Sequence, residues 1–261
     1  NTDIGFNPSG AAATGSSFRD FAVFDNYNNR QDGAGQVFPL TNVSNITIDS
    51  VWVAHSVVMV WGQNVDNSTF TNDRIDDTFA DGITLANDSS GNIESNDVAH
   101  ATGDDSFALF NAQDVHAGTV QNNTLENLTA LLTWRASGFA VYGGANNTYT
   151  NLYAADQLTY PGVTVSSINF GISFVGFSGT TTLSNISIVR SGGHFWGQQV
   201  FPALWIYSGD GAFTGVRISN VDIEDPPFAG VMFQTKYTSP SSPTIPIADT
   251  TLTNVTVDTA N

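Results

Sequence analysis

The sequence predicts an all-β chain wound as a right-handed parallel β-helix of about nine coils, and three observations carry that prediction. A short phrase recurs eight times: a small hydroxyl residue or Asn, then Asn, then alternating apolar and polar residues, centred on Asn45, Asn72, Asn96, Asn123, Asn151, Asn185, Asn220 and Asn254. The steps between these asparagines are 27, 24, 27, 28, 34, 35 and 34 residues, the length of one solenoid coil and shorter than the roughly 40–50 residues of a propeller blade. Between the phrases lie short β-branched and aromatic runs with a two-residue alternation. A three-to-four-residue period is almost absent, which removes the helical solenoids.

Runs such as Val51-Trp52-Val53, Phe107-Ala108-Leu109-Phe110 and Phe139-Ala140-Val141-Tyr142 are the predicted strands. The repeated Asn sits at a turn, where stacked coils let it bond the Asn of the next coil, so the eight copies are expected to form a ladder. From residue 149 onward each period is longer, and the added residues are expected to leave the coil as loops at 158–167, 193–204 and 239–246. Residues 1–261 read as a single β-helix domain. The pattern runs on to Val257 with no amphipathic capping segment, so we expect a piece of a longer, multidomain protein.

Composition narrows the partners. The chain has 261 residues, 24 acidic and 7 basic, for a formal charge of −17, and 41% of its residues are hydrophobic, enough for a real core. Lys236 is the single lysine, so no basic stripe exists for nucleic acid or an anionic membrane surface. No apolar run approaches the ~18 residues of a membrane span. The absence of cysteine excludes disulfides, thiolate catalysis and cysteine-based zinc sites. A mature secreted, extracellular chain, acting as a monomer, fits best.

Two acidic segments fall on consecutive coils, eight or nine residues after their repeat asparagines: Asp81-Gly82, and Gly103 followed by Asp104-Asp105. Stacking would bring Asp81 beside that pair at about one strand spacing, ~4.8 Å. Clustered carboxylates repel, so one should hold a proton while another stays ionised, which is the division glycoside hydrolysis requires. Adjacent strand residues point to opposite faces, so Asp104 and Asp105 can share a cleft only at a bulge or strand start, and Gly103 makes that feasible. A plain Asp-Gly turn and half of a calcium site are the competing readings.

With those residues in view, the chain resembles the clan of inverting glycoside hydrolases that holds polygalacturonases and dextranases. Within it, Arg74 to Ile83, the 23-residue step from Asp81 to Asp104, and Thr102-Gly103-Asp104-Asp105-Ser106 most resemble glycoside hydrolase family 87, bacterial endo-α-1,3-glucanases also called mutanases. The resemblance implies that Asp81, Asp104 and Asp105 are catalytic, with Asp104 the general acid and Asp81 and Asp105 holding and deprotonating water. It also implies a neutral glucan as substrate, no required cofactor and no catalytic metal. Galacturonan is a polyanion that a chain at −17 would repel, and Gly193-His194-Phe195 and Arg217-Ile218-Ser219 match the pectin-cleaving pattern only in part. A dextranase, a polygalacturonase, a polysaccharide lyase and a non-catalytic adhesin or tailspike segment remain the alternatives on this fold.

Sugar subsites use aromatic faces and planar polar groups. Trp134 and Arg135 on the coil after the acidic pair, His55 and Trp61 on the coil before, and His194 and Trp196 on a later loop are the candidate sugar-binding residues. His100 and His116 read as ordinary surface histidines without a metal-ligand spacing. The Asp-rich turns at Asp32-Gly33 and Gly209-Asp210-Gly211 could hold a structural Ca²⁺.

Overall fold

Side chains that alternate in and out along a strand bury one stripe per coil, and stacked coils turn those stripes into a continuous core. The computed structural model of the chain describes residues 5–237, 239 and 244–259. Two long sheets run along the solenoid, one of eleven strands and one of eight, and their pairings are parallel. In the larger sheet two layers are split into short halves, Thr69–Thr71 with Arg74–Asp76 and Ile93–Ser95 with Val98–His100, so its eleven strands make nine layers, Ser17–Phe24 through Thr250–Asp258. That matches the predicted coil number. The smaller sheet stacks Gln36–Ser44, Val58–Asp66, Ile83–Ala86, Phe107–Phe110, Phe139–Tyr142, Val163–Ser166, Leu204–Ser208 and Val231–Thr235 in that order.

Register produces the core. One inward column of the larger sheet reads Phe18, Ile48, Phe70, Glu94, Leu125, Tyr149, Leu183, Ile218. Glu94 interrupts it, fully buried with no hydrogen-bond partner on either carboxyl oxygen among the described residues. Burial first, then the neighbouring Asp97, push its carboxyl well above the usual range. Two more acids lie inside: Asp97 accepts the Asp73 N–H at 2.7 Å, and Asp73 accepts the Val51 N–H at 2.8 Å.

The asparagine ladder exists, with two corrections. Asn254, Asn220, Asn185 and Asn151 each donate to the Asn one coil earlier at 2.7–3.2 Å, ending on Asn127. Strand register puts Asn127 in this column where Asn123 was expected, and Ser50 where Asn45 was expected. Every member from Ser50 to Asn254 has φ between 51° and 61°, the left-handed region that Asn tolerates better than most residues. Asn123 instead belongs to a buried ladder in which the Asn92 N–H bonds Asn123 Oδ1 and the Asn123 N–H bonds Asn147 Oδ1, both at 3.0 Å. The phrase Asn-Asn-Thr-Leu matched the repeat because an apolar–polar alternation follows Asn in both ladders, although Asn123 stands ahead of its strand while Asn127, Asn151, Asn185, Asn220 and Asn254 lie within theirs.

The predicted loop at 158–167 is also corrected, since Val163–Ser166 is a coil strand. The added residues of that period lie beyond it, where Phe170 and Phe174 fold back onto Phe110. The segment 193–204 does project, as the antiparallel pair Gly193–His194 and Val200–Phe201. Of 239–246, residues 240–243 lie outside the described residues.

Candidate active site

A cleft of about 620 Å³ opens on the outer face of the eight-stranded sheet. Trp61, Thr84, Ala108, Ala140, Thr164 and Trp205 occupy one outward register column of that sheet, and all but Ala140 line the cleft. A tryptophan therefore stands at each end, with small side chains between.

Asp81, Asp104 and Asp105 meet in this cleft, each offering a carboxylate oxygen within 4.8 Å of the others. Their backbone explains how. Gly82 N–H bonds Asp105 O at 3.0 Å, which aligns the two segments. The N–H groups of Gly103 and Asp104 both point at Ala80 O at 3.1 Å, a local crowding that lets consecutive aspartates face the same way before the strand at Phe107 begins. Both glycines are required by close approach: a Cβ at position 82 would lie 2.3 Å from Ser106 O, and one at 103 would lie 2.6 Å from Phe79 O. The separation within the trio is nearer the ~5 Å of two-step glycosidases than the ~6.5–9.5 Å of ordinary inverting pairs.

Each carboxyl has a different environment. Asp81 Oδ1 accepts the Thr84 hydroxyl at 3.0 Å. Asp104 Oδ2 accepts Arg135 Nη1 at 3.2 Å and also Arg30 Nη1, and Arg30 is in turn held by Asp32 at 2.6 Å. Asp105 takes the Ser137 N–H on Oδ1 at 2.8 Å and the Tyr142 hydroxyl on Oδ2 at 2.9 Å. Burial, then the charges of Asp104 and Asp105, raise Asp81 well above the usual carboxylate range. Burial and Asp104 raise Asp105 to about 7, against the Ser137 and Tyr142 donors. Burial and mutual repulsion work against ionising all three carboxyls together, so the site can hold a proton to give and a carboxylate to receive one.

The other expectations divide. Arg135 and Trp61 line the cleft as expected. Trp134 does not; it lies against Gly103, half exposed, with its backbone N–H on Thr102 O. His55 is at a left-handed corner, φ 57°, edge-on to Phe24 at 4.9 Å, because its register partner region is Asp76–Asp77 and not Asp81. His194 is exposed against Phe228 and outside the cleft, although Gln199 and Phe201 of the same projection line it. The Trp196 side chain lies outside the described residues. His100 is not without a partner: stacking brings its Nδ1 to 2.6 Å from Asp76 Oδ1, with Asp77 alongside. Asp210 is paired with Lys236, and Asp32 with Arg30.

Sequence reasoning missed Arg30, Tyr142, Tyr160 and Trp205, all of which line the cleft. Tyr142 was legible in principle, since Phe139–Tyr142 aligns with Phe107–Phe110. Arg30 reaches in from a segment outside any repeat, so periodicity could not reveal it.

Comparison with known proteins adds to this geometry. A family model described as alpha-1,3-glucanase catalytic domain D2 matches residues 1–261. The catalytic domain of a GH87 alpha-1,3-glucanase, an aspartate-to-alanine variant solved with tetrasaccharides, is 42% identical with a TM-score of 0.89, over 98% of this chain and 46% of that one. A second such catalytic domain, solved with nigerose, is 43% identical with a TM-score of 0.82, over 90% of this chain and 44% of that one. The catalytic unit of a thermostable GH87 alpha-1,3-glucanase from Streptomyces thermodiastaticus strain HF3-3 is 19% identical with a TM-score of 0.61, over 93% of this chain and 55% of that one, and so shares the fold. This chain thus spans about half the length of the structures it matches. Variants among them replace three aspartates with alanine, the second 23 positions after the first and the third directly following it; Asp81, Asp104 and Asp105 have the same spacing. No curated protein matches the chain.

Proposed function

The chain belongs to the glycoside hydrolase family 87 α-1,3-glucanase catalytic domains, and from that membership we propose that it hydrolyses α-1,3-glucan within the chain, using Asp81, Asp104 and Asp105. The convergence of those three carboxylates within 4.8 Å carries the reading. The equal spacing of the substituted aspartates in the oligosaccharide-bound relatives supports it.

Asp104 donates a proton to the departing glycosidic oxygen, while Asp81 and Asp105 hold a water and take its proton as its oxygen bonds to the anomeric carbon. Arg30 and Arg135 orient the Asp104 carboxyl and place positive charge beside it. The trio is compact, so the water sits on its own oxygens and not between two distant walls; its direct attack on the anomeric carbon in a single displacement gives inversion. Trp61, Tyr160 and Trp205 line the path of the sugar chain. A polymeric substrate cannot enter a cell, so on this reading the enzyme acts outside the cell that makes it.

Incubation with insoluble α-1,3-glucan should release reducing sugar, and Asp104→Asn should abolish that release. The first product anomer, read by proton NMR, should be β from an α linkage; an α product would replace inversion with a two-step mechanism.

A further inference from the structure

Asp105 is distinguished from its neighbours by having a separate donor on each oxygen. Ser137 N–H holds Oδ1 at 2.8 Å and the Tyr142 hydroxyl holds Oδ2 at 2.9 Å. Asp81 has the Thr84 hydroxyl on one oxygen, and Asp104 receives both arginines on a single oxygen. Two donors on two oxygens set both the rotation and the plane of a carboxyl group.

The Tyr142 ring is itself fixed. It ends the strand Phe139–Tyr142, in register with Phe110 and Ser166. Phe110 stands edge-on to it at 5.8 Å and 78°, and Phe170 at 5.1 Å and 88°. Only 8% of the residue is exposed, so water competes little for the hydroxyl. We propose that Tyr142 is the positioning residue of this site: its hydroxyl orients the Asp105 carboxyl as the acceptor of the proton lost by the attacking water. The inference rests on the glucanase reading and assigns, within it, which carboxylate takes the proton. The water O–H breaks, its proton goes to Asp105, its oxygen bonds to the anomeric carbon, and the proton of Asp104 goes to the leaving oxygen.

The surrounding charges agree with that role. Asp104 and Asp81 face Asp105 and repel its charged form, Arg135 favours it, and Arg30 is engaged by Asp104 and Asp32. Burial, then Asp105 itself, push the Tyr142 phenol well above 10, so it remains a donor wherever carboxylates titrate.

Tyr142→Phe removes the hydroxyl and keeps the ring. On a soluble α-1,3-gluco-oligosaccharide, kcat should fall about tenfold or more with KM within about twofold. The acid limb of the kcat profile should move up by about one pH unit, because the charged form of Asp105 has lost a donor. Thermal unfolding should barely change, whereas Phe170→Ala, which loosens the ring, should shift the limb less and in the same direction. An unchanged kcat and acid limb, or a loss confined to KM, overturns the proposal. A titration of the Asp105 carboxyl by ¹³C NMR, assigned with Asp105→Asn, needs no turnover: Tyr142→Phe should raise the midpoint, and no change also overturns it. If wild-type protein releases no sugar from any α-1,3-glucan while this titration shifts, the substrate reading fails and the positioning role stands.

Discussion

Arg30 and Arg135 reach the same oxygen of Asp104, Oδ2, one from the segment ahead of the strand Gln36–Ser44 and the other from just ahead of the strand Phe139–Tyr142. The acid is thus gripped from both directions along the solenoid. Arg30→Ala leaves Asp104 one guanidinium and frees its carboxyl to rotate, and kcat/KM should fall about tenfold or more. The double variant with Arg135→Ala should fall short of the summed single effects, because the two share one partner. Steady-state kinetics on a soluble oligosaccharide checks both.

Removing a carboxyl from the trio should trade activity for stability. Asp81→Asn and Asp105→Asn each take away a group whose charge burial and neighbours oppose. Activity should drop by about a thousandfold or more while the melting temperature rises by a few degrees. A variant that lost both stability and activity would mark its aspartate as structural.

The buried acids make the fold more stable in acid than at neutrality. Burial raises Asp73 to about 7 and lifts Asp97 and Glu94 well above the usual range. Unfolded Asp and Glu titrate near 4, so between about pH 4 and 7 the folded chain holds protons that the unfolded chain has released. The unfolding free energy therefore falls as pH rises through that window, with the contribution intact below ~4 and, for Asp73, lost above ~7. Urea midpoints from pH 4 to 8 should show the decline. Asp73→Asn, which keeps an oxygen for the Val51 N–H, should flatten it.

Glu94→Leu should stabilise the chain by about 1–3 kcal/mol at neutral pH, since it replaces a carboxyl with no hydrogen-bond partner among the described residues, between Phe70 and Leu125 in register, by an apolar side chain of similar size. Chemical denaturation measures it.

Asn185→Ala should cost about 1–2 kcal/mol. It loses a hydrogen bond donated to Asn151 Oδ1 at 3.2 Å and one accepted from Asn220 Nδ2 at 3.0 Å, and it forces alanine to φ 56°. Asn185→Gly should cost less, because glycine adopts that conformation freely.

Much of this was legible because a solenoid repeats its instructions. Coil length, coil number and the stacking of Asp81 on Asp104 and Asp105 all follow from period and register, which one sequence displays several times. What escaped was unique. Arg30 arrives from outside any repeat, His55 was placed by counting residues where a left-handed corner breaks the count, and His194, expected on a loop that reaches the cleft, lies on a projecting hairpin that turns it to Phe228. Even the ladder slipped at Asn123 and Asn45, where two kinds of asparagine column carry the same local signature. Trp134, on the coil after the pair, lies against Gly103 beside the trio and does not line the cleft itself.

The cleft draws Arg30, Asp81, Asp104, Tyr142 and Trp205 from different coils, and in a solenoid each coil is held chiefly by its two neighbours. Catalytic competence is therefore a property of the stack from the segment ahead of Gln36–Ser44 to Leu204–Ser208, with the C-terminal layers outside it. The chain can fray at Val216–Glu224 and beyond without disturbing a single contact of the trio, so sugar release during gentle heating should outlast the first loss of sheet signal at the C-terminal end.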